Sequence, residues 1–344
     1  MTNKLENKIS VIVTTYNQER TIGRTLDSIL VQQCSIPIEI VVGDDCSTDG
    51  TLRVVEQYIN RTKEKANGKF EIKLLANERN KGIVDNYFGC LMACSGQYIA
   101  DCAGDDYWCD ILKLEKELRI LEQYSDVTLV HTNWRFADTS KGMYADAGTL
   151  SFRQPFTPGC DMLETIICQE RHVVHLCTAL YRKETVLEAC SENKLLFPNN
   201  DWACEDIPIV FMLALKGNVA YLPEVTLNYS IGNESVSNHA DPVEQFKFVA
   251  AITQLSHYLS STYHISGKRV DEFFENRLYA LSMHAFRAHN REMRDGLLEL
   301  KRQWSVGNTP KLRRVNYIMG HRLLWSVALM VRSGYLQMKK LVMW

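Results

Sequence analysis

The sequence predicts an α/β protein: a mostly parallel sheet covered by helices, followed by a helical C-terminal extension. Two observations carry this expectation. Through residues 9–101, short β-branched runs alternate with segments whose apolar residues recur at helical spacing, the pattern of strands joined by crossover helices. From residue 242 the β-branched runs cease and helical spacing alone remains, which places a domain boundary near residue 240 and divides the chain into 1–240 and 241–344.

In chain order, residues 9–14 (Ile-Ser-Val-Ile-Val-Thr) form a β-branched run that ends in the turn-like Thr15-Tyr16-Asn17. A helix follows, with Ile22, Leu26, Ile29 and Leu30 on one side. The unit repeats with a strand over 38–42, a polar loop over 44–50 and a helix from Thr51 carrying Leu52, Val55 and Ile59. A third strand over 70–75 precedes a helix over 87–94, and a fourth over 98–101 runs into Gly104-Asp105-Asp106. Beyond it come a strand over 127–132, a polar excursion over 138–159 without periodicity, and a helix over 160–168. An apolar stretch over 173–181, a helix over 207–216 and a strand over 219–222 complete the first part. Phe246, Val249, Ile252, Leu255 and Tyr258 then keep helical spacing. In such a sheet, ligands lie in the crevice outside the carboxyl ends of the strands, where each of these polar loops falls.

At 344 residues, 46% hydrophobic and 23% charged, the chain can bury a sizeable core, which excludes disorder and fibre. Its 39 basic and 41 acidic side chains are unevenly spread: residues 301–344 hold nine Lys or Arg and no acid, leaving residues 1–300 at −11. An acidic body with a basic tail suits an anionic surface for the tail and not a nucleic-acid-binding body. The tail mixes Lys311, Arg313, Arg314, Lys339 and Lys340 with Trp325, Tyr335 and Trp344. A cationic amphipathic helix of this kind lies in the interface of an anionic membrane, at about 1 kcal/mol per basic residue. The alternatives are a helical pair packed on the body and a homodimer contact. Eleven scattered cysteines without a Cys-x-x-Cys pair point to a reducing compartment. The N-terminus lacks a signal peptide's pattern, and no apolar run reaches the roughly 18 residues of a membrane span. The expected location is cytoplasmic, peripheral on the inner membrane face.

Three acidic clusters stand at predicted loop ends: Asp44-Asp45, Asp105-Asp106 and Glu205-Asp206. Carboxylates gathered at one sheet edge repel unless a cation or a hydroxyl-rich ligand joins them. The simpler reading is helix capping, by Asp45 or Asp49 for the helix at Thr51 and by Asp105 or Asp106 for the one after Trp108. Glu205 and Asp206 are likewise favoured by a helix dipole as first-turn acids.

The ordered set is more specific than its parts. Residues 11–17 (Val-Ile-Val-Thr-Thr-Tyr-Asn), 40–51 (Ile-Val-Val-Gly-Asp-Asp-Cys-Ser-Thr-Asp-Gly-Thr), and 96–100 leading into Asp105-Asp106-Tyr107-Trp108 resemble a family 2 glycosyltransferase of GT-A fold over residues 8–237. The resemblance implies that Thr14 and Tyr16 flank a nucleobase, that Asp45 binds the uracil or ribose of a nucleotide-sugar, and that Asn86 lines the nucleotide pocket or faces solvent. It implies that Asp105 and Asp106 hold Mg²⁺ or Mn²⁺ against the donor diphosphate, with Asp105 on metal, sugar or ribose and Ala103 where many members carry an acid. It implies that Asp206 is the catalytic base of an inverting displacement, with Glu205 or Asp201 as substitutes and Trp108 and Trp202 as flat faces for sugar rings or plain core. Ser230 replaces a common Arg, which removes one expected phosphate contact; His239 is a candidate for the metal shell, and His172 and His175 suit core or acceptor roles. The implied activity is transfer from a UDP-linked sugar to a glycan or lipid-linked glycan in cell-surface polysaccharide synthesis. The rivals are a non-catalytic sugar-binding scaffold and a sugar nucleotidyltransferase, the latter disfavoured by the lack of glycines over 14–20.

Overall fold

The computed structural model describes residues 5–64, 68–138, 141–148, 151–170, 173–197, 202–231, 241–307 and 309–342, without the side chains of 333–342. Its chain forms two compact units, residues 1–233 and 234–344.

The first unit is built on β1 (Glu6–Thr15), β2 (Ile38–Asp44), β3 (Phe70–Ala76) and β4 (Gly96–Asp101), joined by α1 (Ile22–Leu30), α2 (Thr51–Glu64) and α3 (Ile83–Ala93). It continues through β5 (Tyr107–Trp108), α4 (Lys113–Gln123), β6 (Val127–Asp138), β7 (Met143–Asp146), β8 (Phe156–Thr157), α5 (Leu163–Ile167), β9 (Ala179–Arg182), α6 (Lys183–Glu192), α7 (Asp206–Lys216) and β10 (Asn218–Ser230). The sheet order is β3-β2-β1-β4-β9-β6-β10-β5, with β7 paired to β6 and β8 to β10. Strands β3, β2, β1 and β4 run parallel, β9 runs against β4 and β6, and β10 parallels β6. All seven residues of β2 are buried, as befits a strand covered on both faces, and Val11 of β1 pairs with Ile40 on one side and Ala100 on the other. Each such buried aliphatic side chain contributes roughly 1.5–3 kcal/mol.

The direction of the strands decides what meets at the functional edge. The carboxyl ends of β1, β2, β4, β6 and β10 share it, and because β9 runs the other way, the chain entering β9 at residues 175–178 arrives there too.

Several sequence expectations need correction. Residues 138–159 contain β7 and β8; β7 is exposed along its whole length, so no burial alternation marks it in the sequence. The strands expected at 127–132 and 219–222 extend to Asp138 and Ser230. The helix expected over 160–168 is a 3₁₀ turn followed by the short α5. Asp49, not Asp45, serves the start of α2, its Oδ1 accepting from the Thr51 amide at 3.0 Å. Neither Asp105 nor Asp106 caps α4, whose entry is instead turned by Asp110 accepting from the Leu112 amide at 2.8 Å. Beneath this edge, Lys113 and Glu117 form a fully buried ion pair at 2.7 Å, and the Lys113 ammonium lies 4.7 Å from the Trp108 ring centroid, so Trp108 is core.

The second unit is helical: α8 (Pro242–Thr262), α9 (Lys268–Ala288), α10 (Arg291–Gln303), α11 (Pro310–Gly320) and α12 (Arg322–Val342). Asp241 caps α8, accepting from the Val243 amide at 2.6 Å, with Pro242 in the first turn. Trp325 belongs to its core: it is 1% exposed and donates Nε1–H to the Phe286 carbonyl at 2.9 Å. That removes Trp325 from any interfacial face. The exposed apolar side chains of α12 are Leu323, Leu324, Val327, Met330 and Val331. Trp344 lies outside the described residues, and the side chains of Tyr335, Lys339 and Lys340 are not described.

Candidate active site

At the head of the crevice, Thr14 and Thr15 pair with Gly43 and Asp44, so the ends of β1 and β2 lie side by side, and Tyr16 stands 47% exposed just beyond them. Asp45 is 5% exposed and its carboxylate already holds a loop. Oδ1 accepts from the Lys81 amide (2.8 Å) and Asn77 Nδ2 (3.1 Å), and Oδ2 accepts from the Gly82 amide (2.9 Å). Of a carboxylate's roughly four acceptor sites, three are used and one is left to face a ligand. Gly82 adopts φ +84°, a left-handed conformation open to glycine, which lets the amides of 81 and 82 turn toward Asp45 at the start of α3. Asn86 is buried, which sets aside its solvent-facing reading. Its Nδ2 donates to the Gly43 carbonyl and its Oδ1 accepts from Asn77, both at 2.9 Å, bracing β2 against α3 behind Asp45.

Asp105 and Asp106 follow β4 in a loop clamped from two sides. Ser230, at the end of β10, donates its amide to Asp106 Oδ1 (2.8 Å) and its hydroxyl to the Asp105 carbonyl (2.5 Å). Thr25 of α1 donates its hydroxyl to the Asp106 carbonyl at 2.6 Å. Arg24, which sequence reasoning missed, reaches across from α1 to donate to the Asp105 carbonyl (2.8 Å) and Ser230 Oγ (3.0 Å), its guanidinium 4.1 Å from the Tyr107 ring centroid. A guanidinium from another element thus reaches Ser230. A single arginine in a helix carries no sequence signal for this.

Asp106 is 1% exposed, and its Oδ2 is buried without a hydrogen bond. Burial, then the neighbouring Asp105 charge, pushes its carboxyl well above the usual range. Burial raises Asp105 as well, against the Arg24 charge and the Gln18 amide. A carboxylate pair with an orphaned, desolvated oxygen favours whatever cation arrives, and hard divalent ions take such oxygens. Among the described residues, no group of three or more His, Cys, Asp or Glu side chains is arranged to hold a metal. The chemistry of the pair fits a carboxylate anchor for a hard divalent ion.

The second acid pair opens α7. Asp206 is exposed in the first turn, with Oδ1 accepting from the Ile207 amide at 2.8 Å. Burial, then the charges of Asp206 and Asp101, raises Glu205 to about 8. Glu205 is thereby held protonated at neutral pH beside the exposed carboxyl of Asp206. Burial raises the Tyr229 phenol to about 12, and the charges of Asp106, Asp105 and Asp206 add to the effect.

Tyr229 also packs edge-on against His175 at 5.0 Å between centroids, and His175 lies 5.3 Å from the Trp134 ring. Burial lowers His175 to about 4 against the pull of Asp206, so the ring is neutral. Asp201, His172 and His239 lie outside the described residues, as does the 235–237 segment; Trp202 is half-buried with its indole nitrogen 3.4 Å from the Leu195 carbonyl.

The Glycosyl transferase family 2 model matches residues 10–188, and the chain belongs to that family. Over 257 residues it is 26% identical to a putative teichuronic acid biosynthesis glycosyltransferase of Bacillus subtilis, TuaG, covering 74% of this chain and 92% of that one. Uncharacterized proteins of Mycobacterium tuberculosis match at 26% identity over 221 residues, 64% of this chain, which spans 58% of their length. Among solved structures, Staphylococcus aureus TarS in complex with UDP-GlcNAc superposes with a TM-score of 0.55 at 17% identity, covering 90% of both chains. A mannosyltransferase of Pyrobaculum calidifontis, in complex with GDP-Man and Mn²⁺, superposes with a TM-score of 0.51 at 16% identity, covering 94% and 86%. These likenesses establish the GT-A fold, and the family is that of the family 2 glycosyl transferases.

Proposed function

We propose that this chain transfers a sugar from a UDP-linked donor to an acceptor hydroxyl with inversion, in the assembly of a cell-surface polysaccharide. The observation that carries the reading is the Asp105-Asp106 pair after β4, with Asp106 buried and its Oδ2 unpartnered, at the sheet edge where Asp45 and Tyr16 stand. Thr14, Tyr16 and the free acceptor site of Asp45 receive the nucleoside. Asp105 and Asp106 would hold Mg²⁺ or Mn²⁺, which would supply positive charge against the leaving diphosphate. Asp206 takes the proton of the acceptor hydroxyl as its oxygen attacks the anomeric carbon from the face opposite the diphosphate. Glu205, protonated, keeps a second negative charge away from the base.

The relatives' surface polymers and the basic tail support a lipid-linked acceptor at the cytoplasmic face. No described helix is long and apolar enough to cross a membrane. The exposed Leu323, Val327, Met330 and Val331 of α12, beside Arg322 and Arg332, suit a peripheral contact with anionic lipid.

Calorimetric titration of UDP, dTDP and GDP, with and without Mn²⁺, tests the donor class. Micromolar UDP binding that needs the metal and is lost in Asp45→Ala supports the reading. Absence of nucleotide binding under both conditions favours a sugar-binding scaffold, the reading to which Ala103 and Ser230 lend weight.

A further inference from the structure

Beside Asp206 lies a cavity of about 250 Å³. Its walls come from α5, the segment entering β9, Trp134 of β6 and the first turns of α7. Five of the lining side chains, Ile166, Val173, Val174, Ile207 and Val210, are branched aliphatics. The polar groups at its wall are Gln169, Glu170, His175 and Asp206. The volume falls just below the roughly 300–1,000 Å³ of sites that enclose drug-sized ligands, which suits one sugar ring and not a chain of them.

His175 stands at the cavity wall with one ring nitrogen already engaged. Its Nδ1 accepts from the Cys177 amide at 3.3 Å, so in the neutral ring the proton resides on Nε2. The ring is held between Trp134 and Tyr229, which fixes its orientation. Asp206 has one carboxylate oxygen on the Ile207 amide, leaving Oδ2 for a hydroxyl at the cavity wall. Ring hydroxyls find partners on the side of Gln169, Glu170, His175 and Asp206, whereas against the five branched aliphatics a methyl-bearing substituent would replace water favourably.

We propose that this cavity is the acceptor subsite and takes a pyranose carrying an apolar substituent, such as an acetamido or deoxy-sugar methyl group, oriented by a hydrogen bond from His175 Nε2. The inference rests on the glycosyl-transfer reading above. In the step it serves, the acceptor O–H bond breaks with its proton passing to Asp206 Oδ2, the oxygen bonds to the anomeric carbon, and the electron pair of the broken glycosidic bond leaves on the diphosphate.

Saturation-transfer NMR on the full chain with UDP and Mn²⁺ tests it, using methyl N-acetyl-β-glucosaminide, methyl β-fucoside and methyl β-glucoside as probes. The first two are expected to bind with millimolar affinity and to receive saturation at their acetamido or deoxy-sugar methyls, with methyl β-glucoside weaker by about tenfold. Val174→Trp, which fills the cavity, removes the signal. His175→Phe weakens it about tenfold, and His175→Gln, which keeps an N–H donor, recovers part of the loss. UDP titration of each variant shows that it is folded and that the loss is on the acceptor side; should Val174→Trp not fold, Val210→Phe takes its place. Probe binding unchanged in the filled cavity, equal binding of all three glycosides, or none at all while UDP binds overturns the subsite. Failure of the wild-type chain to bind UDP overturns the transferase reading beneath it.

Discussion

Replacing Glu205 by Gln separates the two carboxyls that open α7. In the unfolded chain Glu205 titrates near 4.5, and in the folded one burial, then Asp206 and Asp101, raises it to about 8. A group whose folded value is raised contributes stability that is complete below the unfolded value and is lost as pH climbs through the folded one. Stability should therefore decline between 4.5 and about 8. At about 1.4 kcal/mol per unit the ceiling over that window is about 5 kcal/mol, and the solvent that reaches this half-buried carboxyl brings the expected loss to about 1–2 kcal/mol. Glu205→Gln is isosteric with the protonated side chain and removes the titration. Urea unfolding near pH 5 and pH 8 should show the variant level with the wild type at the lower pH and about 1–2 kcal/mol more stable at the higher. Hydrolysis of UDP-sugar by the same proteins should stay within about threefold for Glu205→Gln and fall about 10²–10⁴-fold for Asp206→Asn. Equal loss of turnover in both variants, or a stability difference that does not grow with pH, would refute the assignment of base and neutral partner.

Asp106→Asn should abolish the Mn²⁺-dependent part of UDP affinity in calorimetry, and because it replaces a buried carboxyl whose Oδ2 has no hydrogen bond, it should leave the metal-free chain as stable as the wild type or about 1 kcal/mol more so. Asp45→Ala frees the amides of Lys81 and Gly82, so hydrogen exchange there should accelerate, with about 1–3 kcal/mol lost in denaturant unfolding. Trp325→Ala should cost about 3–5 kcal/mol in the helical unit, read from thermal unfolding; a loss below about 1 kcal/mol would show that the ring is not core. Paired Leu323→Asp and Val327→Asp should abolish flotation of the chain with phosphatidylglycerol vesicles, and unchanged flotation would remove α12 from the membrane reading.

Much of the frame was legible because strands buried on both faces leave unbroken β-branched runs. The runs at 9–14 and 38–42 sit where β1 and β2 stand, and the carboxyl-end loops hold the acids expected of them. The motif order did the same for the family. Where a strand lies exposed, as β7 does, no periodicity exists to read. Trp325 shows the converse: an aromatic among basic residues looks interfacial in sequence, yet its indole N–H finds the Phe286 carbonyl and the ring is core.

The sequence by itself determined which chemical groups are available and, through hydrophobic spacing, that they would lie at the ends of a mostly parallel sheet. It determined the family as well, because an ordered series of short motifs survives where overall identity is low. Only the tertiary structure decided which groups act together. Arg24 meets Asp105 and Ser230 from 81 and 206 residues away, and His175 reaches the crevice because β9 runs against its neighbours. It also decided that Glu205 is held protonated, since that depends on how much water and how many like charges surround its carboxyl. Neighbours and desolvation arise from packing between distant segments, and local sequence does not encode them.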